Sequence, residues 1–143
     1  MGKYTSNEKG RHAELLAQTA LIANGYTVLE PVTTEAYDLA VRRKSDGKTL
    51  YVQVKTASVR NEERYGGEYV VVKGAKNNGK VYTRDEADYF IAIYGGDVYM
   101  FPNREISEYW VKSCEVTDKW TLLPIALTTS VAAYVAEEVV VSV

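Results

Sequence analysis

The chain has 143 residues, of which 46% are apolar, and a formal net charge of −2. This length and composition suit one globular domain with its own core, so we expect a single domain over residues 1–143. One cysteine and one histidine exclude an internal disulfide and a four-ligand zinc site. The longest uncharged stretch, residues 120–136, contains a proline and four serine or threonine side chains, which excludes a bilayer span. With no signal-peptide pattern at the N-terminus, a cytoplasmic protein is expected.

Charge is distributed unevenly along the chain. Residues 1–84 carry fourteen basic and nine acidic side chains, whereas residues 85–143 carry three and ten. A basic half can attract phosphate groups, although chance clustering of solvated side chains gives the same counts. The acidic half would suit an oligomer interface or a surface that faces away from an anionic partner.

A helix is predicted near the start of the chain. Ser6 or Asn7 can cap a helix that begins at Glu8, and Gly25 can end it. Small and apolar residues recur between these limits at helical spacing. They are Ala13, Leu16, Ala17, Ala20, Leu21 and Ala23.

Three strands are predicted after this helix, and the last two form a hairpin. The strands cover residues 26–29, 37–43 and 49–56. The Asp-Gly pair at residues 46–47 is typical of a tight two-residue turn. Such a turn would pair Asp38 with Lys55 and Ala40 with Gln53. One face of the hairpin would then collect Asp38, Gln53 and Lys55, and the opposite apolar face would belong to the core.

The rest of the chain predicts a mixed sheet with a helix packed on it, which is an α/β or α+β architecture. The expected elements are a hairpin of residues 69–73 with 80–83, a hairpin of residues 88–94 with 98–101, and a short helix over residues 104–112. Residues 58–68 are expected to form a basic loop or a poor helix and are a candidate mobile segment. Residues 130–138 fit a helix, but the valine-rich tail equally fits an edge strand. Cys114 is expected to be a small buried residue.

The polar face of the first hairpin allows two interpretations. Asp38 and Gln53 could offer oxygen ligands to a hard divalent cation, with space left by the small Ala40. A simple cross-strand ion pair between Asp38 and Lys55 on a solvated face fits the same residues. Sequence spacing alone leaves both interpretations open.

A wider pattern lies on the predicted helix and strands. Its parts are Gly10-x-x-x-Glu14, Tyr37-Asp38-Leu39-Ala40-Val41, Val52-Gln53-Val54-Lys55-Thr56-Ala57, Asp88-Tyr89-Phe90, Tyr99 and Pro102. Over about residues 8–105 this pattern resembles the PD-(D/E)XK nuclease superfamily. It further resembles the branch of group-I-intron homing endonucleases, near the archaeal-type Holliday-junction resolvases. The resemblance implies a restriction-endonuclease-like mixed β-sheet with an αβββ core and flanking helices.

The resemblance also implies a function and a site. The expected activity is Mg²⁺-dependent hydrolysis of phosphodiester bonds in duplex or branched DNA by a homodimer or higher homo-oligomer, with Mn²⁺ able to substitute. Glu14, Asp38 and Gln53 would hold the metal, together with the Val54 carbonyl. Lys55 would orient or deprotonate the attacking water and stabilise the transition state.

The sequence departs from the superfamily pattern at two positions. Tyr37 stands where a proline is usual, which we expect to be silent for the chemistry. Gln53 replaces the usual acidic residue, so the site has one negative charge fewer and should need more Mg²⁺. Retention of Glu14, Asp38 and Lys55 favours an enzyme over the alternative, a non-catalytic DNA-binding or protein-interaction module with the nuclease fold.

Basic residues close to this pattern are candidates for DNA backbone contacts. We favour Arg60 and Arg64, which follow the third strand, and include Arg11 on the helix. His12 lies only two residues before Glu14, so it should point elsewhere on the helix and be exposed.

Overall fold

The computed structural model describes residues 3–127, so both alternatives for residues 130–138 lie outside the described part of the chain. The helices are α1 (Ser6–Ala23) and α2 (Val116–Lys119), and short 3-10 helices cover Glu63–Tyr65 and Ser113–Glu115. The strands are β1 (Tyr26–Leu29), β2 (Leu39–Arg43), β3 (Thr49–Thr56), β4 (Ser58–Glu62), β5 (Gly67–Lys73), β6 (Tyr89–Tyr94), β7 (Asp97–Pro102), β8 (Glu108–Lys112) and β9 (Thr121–Leu122). Within residues 3–127 none of the helices has the length and apolar character needed to cross a membrane.

Helix α1 is fixed at both ends by side-chain hydrogen bonds. Thr5, upstream of both predicted caps, accepts a bond from the Glu8 amide at 3.1 Å, and the Glu8 carboxylate accepts one from the Thr5 amide at 2.8 Å. This reciprocal pair satisfies two amides that the first helical turn leaves free. At the other end the side-chain amide of the buried Asn24 donates to the carbonyls of Ala20 at 2.7 Å and Pro124 at 2.8 Å. The helix is thereby tied to the segment that follows β9.

A six-stranded sheet packs one face against α1. Its strand order is β1-β2-β3-β6-β7-β9, with β3 and β6 parallel and the other neighbours antiparallel. Alternate residues of the central strands point to the helix because side chains of a strand alternate between faces. The helix and sheet residues buried between them include Ala13, Ala17, Ala20, Leu21, Leu39, Val41, Val52, Ile91, Ile93 and Met100. The predicted mixed sheet and its helix are therefore confirmed.

A second sheet covers part of the other face. It has the order β4-β5-β8, and all its pairs are antiparallel. Its inward residues Val70, Val72 and Tyr109 meet the opposite face of β6 and β7. The aromatic cluster between the sheets contains Tyr82, Phe90, Tyr99, Phe101, Tyr109 and Trp120.

Four predictions for residues 58–114 were wrong. Residues 58–68 form most of a β4–β5 hairpin with a 3-10 turn rather than a loop or a poor helix. Residues 104–112 contain β8 rather than a helix, because Tyr109 enters the aromatic cluster while Trp110 points to the other face. Residues 80–83 contribute only an isolated bridge between Val81 and Ala75 instead of a strand. Cys114 is exposed, so its predicted burial was wrong as well.

The β2–β3 hairpin has a different register from the predicted one. Leu39 pairs with Val52, and Ala40 pairs with Tyr51 rather than with Gln53. The shift arises because the turn is longer than two residues: the Arg43 amide donates to the Lys48 carbonyl at 2.8 Å. A shift of two residues preserves the alternation of faces. The polar face predicted for Asp38, Gln53 and Lys55 therefore survives, although the opposite partners change.

The turn of this hairpin is held by an ion pair whose pH dependence can be tested. The Arg43 guanidinium, only 8% exposed, donates to both Asp46 carboxylate oxygens, at 2.8 and 3.2 Å. These bonds, with a backbone bond from Lys48, lower the pKa of Asp46 to about 2. Because the folded pKa lies below the unfolded value, the stabilisation exists above about pH 4 and is lost as pH falls through the folded pKa.

Asp46→Asn should accordingly lower the melting temperature near neutral pH. The variant leaves the nearly buried guanidinium of Arg43 without its carboxylate. In thermal melts, the difference between wild type and variant should shrink as pH is lowered from about 5 to about 2. A difference that stayed constant across this range would show that the ion pair does not carry the effect.

Candidate functional site

The candidate site lies where β2 begins, beside the C-terminal half of β3. Asp38 directly precedes β2, and its Oδ2 accepts a hydrogen bond from the Val54 amide at 2.8 Å. The amide and carbonyl of one strand residue point to the same edge. The Val54 carbonyl therefore points to the edge that β2 leaves open, next to the Asp38 carboxylate. This is the arrangement that the predicted metal-ligand set requires of these two residues.

The Gln53 side chain lies beside the Asp38 carboxylate and is 8% exposed. Its Oε1 is fully buried and has no hydrogen-bond partner within residues 3–127. A buried amide oxygen without a partner costs free energy unless a ligand completes it. The Gln53 amide also interacts with the Asp38 carboxylate and lowers its pKa. Asp38 and Gln53 are thus brought together as predicted.

Burial dominates the electrostatics of Asp38. It raises the pKa of this carboxyl, against smaller opposing effects from the Val54 hydrogen bond, the Lys55 charge and the Gln53 amide. A carboxylate that is only partly compensated in a buried place attracts a cation.

Lys55 is half-buried on the same face of β3. Its pKa is lowered by burial and by the charge of Lys73, and raised by the charge of Asp38. The ammonium lies 5.2 Å from the ring centroid of Tyr82. Lys55 and Tyr82 both border a cavity of about 480 Å³. Its lining residues are Glu35, Ala36, Lys55, Lys76, Asn77, Asn78 and Tyr82.

Glu14 approaches the site from α1. Burial raises the pKa of its carboxyl most, and the nearby negative charge of Asp38 raises it further. Arg11 lies 3.3 Å from Glu14 and 2.7 Å from Glu30, so its charge faces carboxylates. Within residues 3–127, no three histidine, cysteine, aspartate or glutamate side chains form a metal-binding group. The predicted set has only two such residues, and its other ligands are an amide and a backbone carbonyl.

The other predicted residues lie apart from this cluster. Arg60 and Arg64 belong to the β4–β5 hairpin, where Arg60 stacks 5.1 Å from the Trp110 ring and Arg64 lies 5.1 Å from the Tyr65 ring. Arg60 also lies 3.4 Å from a Glu108 carboxylate oxygen. His12 is exposed as predicted.

Two residues near the site were missed by sequence reasoning. Glu30, just after β1, accepts hydrogen bonds from Arg11 at 2.7 Å and Gln18 at 2.9 Å. Tyr82 brings its ring to Lys55 from a segment without regular structure. Neither residue stands at a spacing from the motifs that could have indicated it.

The Asp88-Tyr89-Phe90 motif has a structural role at the other edge of β3. The Asp88 amide donates to the Tyr51 carbonyl at 2.7 Å, and its carboxylate accepts a bond from the Tyr51 amide at 2.8 Å. Phe90 then enters the aromatic cluster between the sheets. The motif therefore begins the parallel β3–β6 pairing that supports the site.

A helix packs on a mixed sheet, and Asp38, Gln53 and Lys55 lie where β2 begins beside β3. This arrangement defines a restriction-endonuclease-like domain. The sequence model of a family described as PD-(D/E)XK endonuclease matches residues 4–119. The chain belongs to this family, which confirms the resemblance. Members of the family generally use divalent metal ions.

A solved structure with a similar fold is that of a bacterial homing endonuclease, I-Ssp6803I. It is 24% identical in sequence, with a TM-score of 0.56 and 76% of each chain covered. This likeness confirms the restriction-endonuclease-like fold. No curated protein matches the chain.

Proposed function

We propose that the protein is a divalent-metal-dependent DNA endonuclease that hydrolyses phosphodiester bonds at the Asp38 site. The observation that carries this proposal is the buried Gln53 Oε1, which lacks a hydrogen-bond partner in the described chain and lies with Asp38. An oxygen in this state suits a hard cation, because Mg²⁺ and Ca²⁺ prefer carboxylate, amide and carbonyl oxygens. The residues present therefore fit the metal that the family implies.

The proposed metal ligands are Asp38, Gln53 and the Val54 carbonyl, with Glu14 directly or through water. When bound by these residues, Mg²⁺ would supply the Lewis acidity needed to activate water and to offset negative charge on the phosphate. Mn²⁺ is expected to replace it. Asp38 is oriented by the Val54 amide, and Arg11 restrains Glu14 from the helix surface.

Lys55 is proposed to act on the attacking water and on the phosphate oxygens. Its partial burial excludes water from one side of the ammonium and lowers its pKa. A cation in such a place stabilises developing negative charge more strongly than a solvated lysine does. The cavity beside Lys55 gives the phosphate a route of approach.

The β4–β5 hairpin is proposed to contact the DNA backbone through Arg60 and Arg64. The hairpin follows β3 after one residue, so it starts next to the site. The stacking of Arg60 on Trp110 restrains its guanidinium, which lowers the entropy lost when it binds a phosphate. Arg11 remains a weaker candidate, because Glu14 and Glu30 already compensate its charge.

A homodimer, or a higher homo-oligomer, is proposed as the working form. Two cuts on paired strands require two sites, and each chain supplies one. The substrate is either a specific duplex sequence or a branched junction.

The test is cleavage of a labelled four-way junction and of a linear duplex pool with a randomised centre. Both are incubated with Mg²⁺, with Mn²⁺ and with a chelator, using wild type and Lys55→Ala. Metal-dependent cutting that the variant loses is expected. Cutting of the junction alone identifies a resolvase, and cutting of selected duplexes identifies a sequence-specific endonuclease. Binding without cutting of either substrate would contradict the enzyme and favour a non-catalytic module.

A further inference from the structure

The ring of Tyr82 lies at the border of the aromatic cluster, next to two lysines. Tyr82 is 8% exposed, and its ring meets the Phe90 ring edge-on at 5.8 Å. The Lys55 ammonium lies 5.2 Å from the Tyr82 ring centroid and the Lys76 ammonium 5.7 Å from it. Both distances are within the range at which an ammonium is attracted to an aromatic face.

The backbone of Tyr82 is fixed by bonds from two other segments. Its amide donates to the Gly74 carbonyl at 3.2 Å. Its carbonyl accepts a bond at 2.9 Å from the Asn103 amide, which also donates to the Ala87 carbonyl at 2.9 Å. Asn103 is 1% exposed, so these bonds are shielded from water. The ring therefore has little freedom to move away from Lys55.

The second lysine is anchored independently. The Lys76 ammonium forms an ion pair with the Glu86 carboxylate, and Glu86 also accepts a bond from the Thr83 amide at 3.0 Å. These contacts hold the segment that carries Tyr82 against the cavity beside Lys55. The ring of Tyr82 is then a rigid wall of that cavity rather than a loose surface side chain.

We propose that Tyr82 is a positioning residue, whose ring holds the Lys55 ammonium in place beside Asp38. This inference rests on the proposed function, since it gives Lys55 a defined location at the site of hydrolysis. Lys55 has four rotatable side-chain bonds and a compact charge that many positions could satisfy. The Tyr82 ring face restrains the Lys55 ammonium from the side of the cavity. The Asp38 carboxylate attracts the same ammonium towards the site.

Kinetics of Tyr82→Phe and Tyr82→Leu test this role. Because Phe keeps the aromatic face, Tyr82→Phe should retain the wild-type kcat within about twofold. Tyr82→Leu should lower kcat by about tenfold with an unchanged KM, because it removes a contact that orients a reacting group without contacting DNA. Tyr4→Leu is the matched control. This substitution also removes a ring near an ammonium, since the Lys3 ammonium lies 5.6 Å from the Tyr4 ring centroid. Tyr4 is exposed at the start of the chain and far from Asp38 in the sequence, so Tyr4→Leu should leave kcat unchanged.

A readout that needs no cleavage separates this inference from the proposed function. In NMR spectra the Lys55 Hε signals should be shifted upfield by the Tyr82 ring current and show Overhauser contacts to the ring protons, with Lys55→Arg giving the assignment. The shift should persist in Tyr82→Phe and vanish in Tyr82→Leu. If the wild type shows neither shift nor contact, the inference is overturned, even if Tyr82→Leu fails to fold. If Tyr82→Phe and Tyr82→Leu lose kcat equally, the ring face is not responsible and the inference is also overturned. If the NMR contact is present but no DNA is cut, the function fails while the contact stands.

Discussion

Replacing Asp38 with asparagine is expected to reduce the rate of DNA cleavage by about 10³-fold, the upper range for loss of one preorganised electrostatic contact. Asparagine keeps the shape of the side chain and an oxygen that can accept the Val54 amide bond seen at 2.8 Å. It removes the buried negative charge that we propose binds the metal. The loss should therefore appear in chemistry rather than in folding, and single-turnover cleavage with thermal melts measures both.

The control for this substitution is Asp88→Asn. Asp88 also accepts a hydrogen bond from a β3 amide, that of Tyr51, at 2.8 Å, but on the opposite edge of the strand. The two variants thus lose the same charge from equivalent backbone contacts. Asp88→Asn should cleave DNA at the wild-type rate.

Measurements of DNA binding distinguish a catalytic role of Asp38 from a role in supporting the DNA-binding surface. Removal of a negative charge next to a phosphate should leave DNA affinity in a chelator unchanged or slightly higher. A protein whose Asp38→Asn variant cleaves as fast as wild type would have its active site elsewhere. A variant that loses binding together with cleavage would show that Asp38 supports the surface rather than the reaction.

Local signals were sufficient for some parts of the fold with short-range contacts, although the β4–β5 hairpin was missed. The periodic helix, though not its Thr5 cap, and the hairpin through residues 95–97 were predicted because their partners are neighbours in sequence. The second sheet was not, because β5 pairs with β8 across a long separation, as Val71 does with Trp110. The spacing of Ile106, Tyr109 and Trp110 suited a helix, but pairing with β5 and burial of Tyr109 favoured a strand.

The candidate site was partly predictable for a similar reason. Alternation along a strand places Gln53 and Lys55 on one face in any register of the same parity, so an error of two residues did no harm. Contacts from distant segments follow no such rule. Glu30 contacts Arg11, which also lies beside Glu14. The Tyr82 ring reaches Lys55 from a segment whose backbone is held by Asn103. Such contacts depend on tertiary structure, which the spacing of motifs does not encode.

Gln53→Glu is expected to lower the Mg²⁺ concentration for half-maximal cleavage by about tenfold, because ligand charge raises the affinity of oxygen sites for hard cations. It restores the acidic residue that is usual in this family at a position only 8% exposed. The matched variant Gln53→Met keeps similar volume without an oxygen and should raise the Mg²⁺ requirement. Mg²⁺ titrations of the cleavage rate measure both changes.

Without metal, Gln53→Glu is expected to be unfavourable, and this effect can be measured as a lower melting temperature. A glutamate at position 53 would be buried beside Asp38, so desolvation and like charge should raise its pKa above the unfolded value. The folded state then binds more protons than the unfolded state, and stability falls as pH rises. In a chelator, Gln53→Glu should melt below wild type, by more at about pH 8 than at about pH 5, and Mg²⁺ should reverse the difference. If Mg²⁺ stabilised neither wild type nor Gln53→Glu, the Gln53 oxygen would not be part of a metal site, and its burial without a partner would need another ligand to explain it.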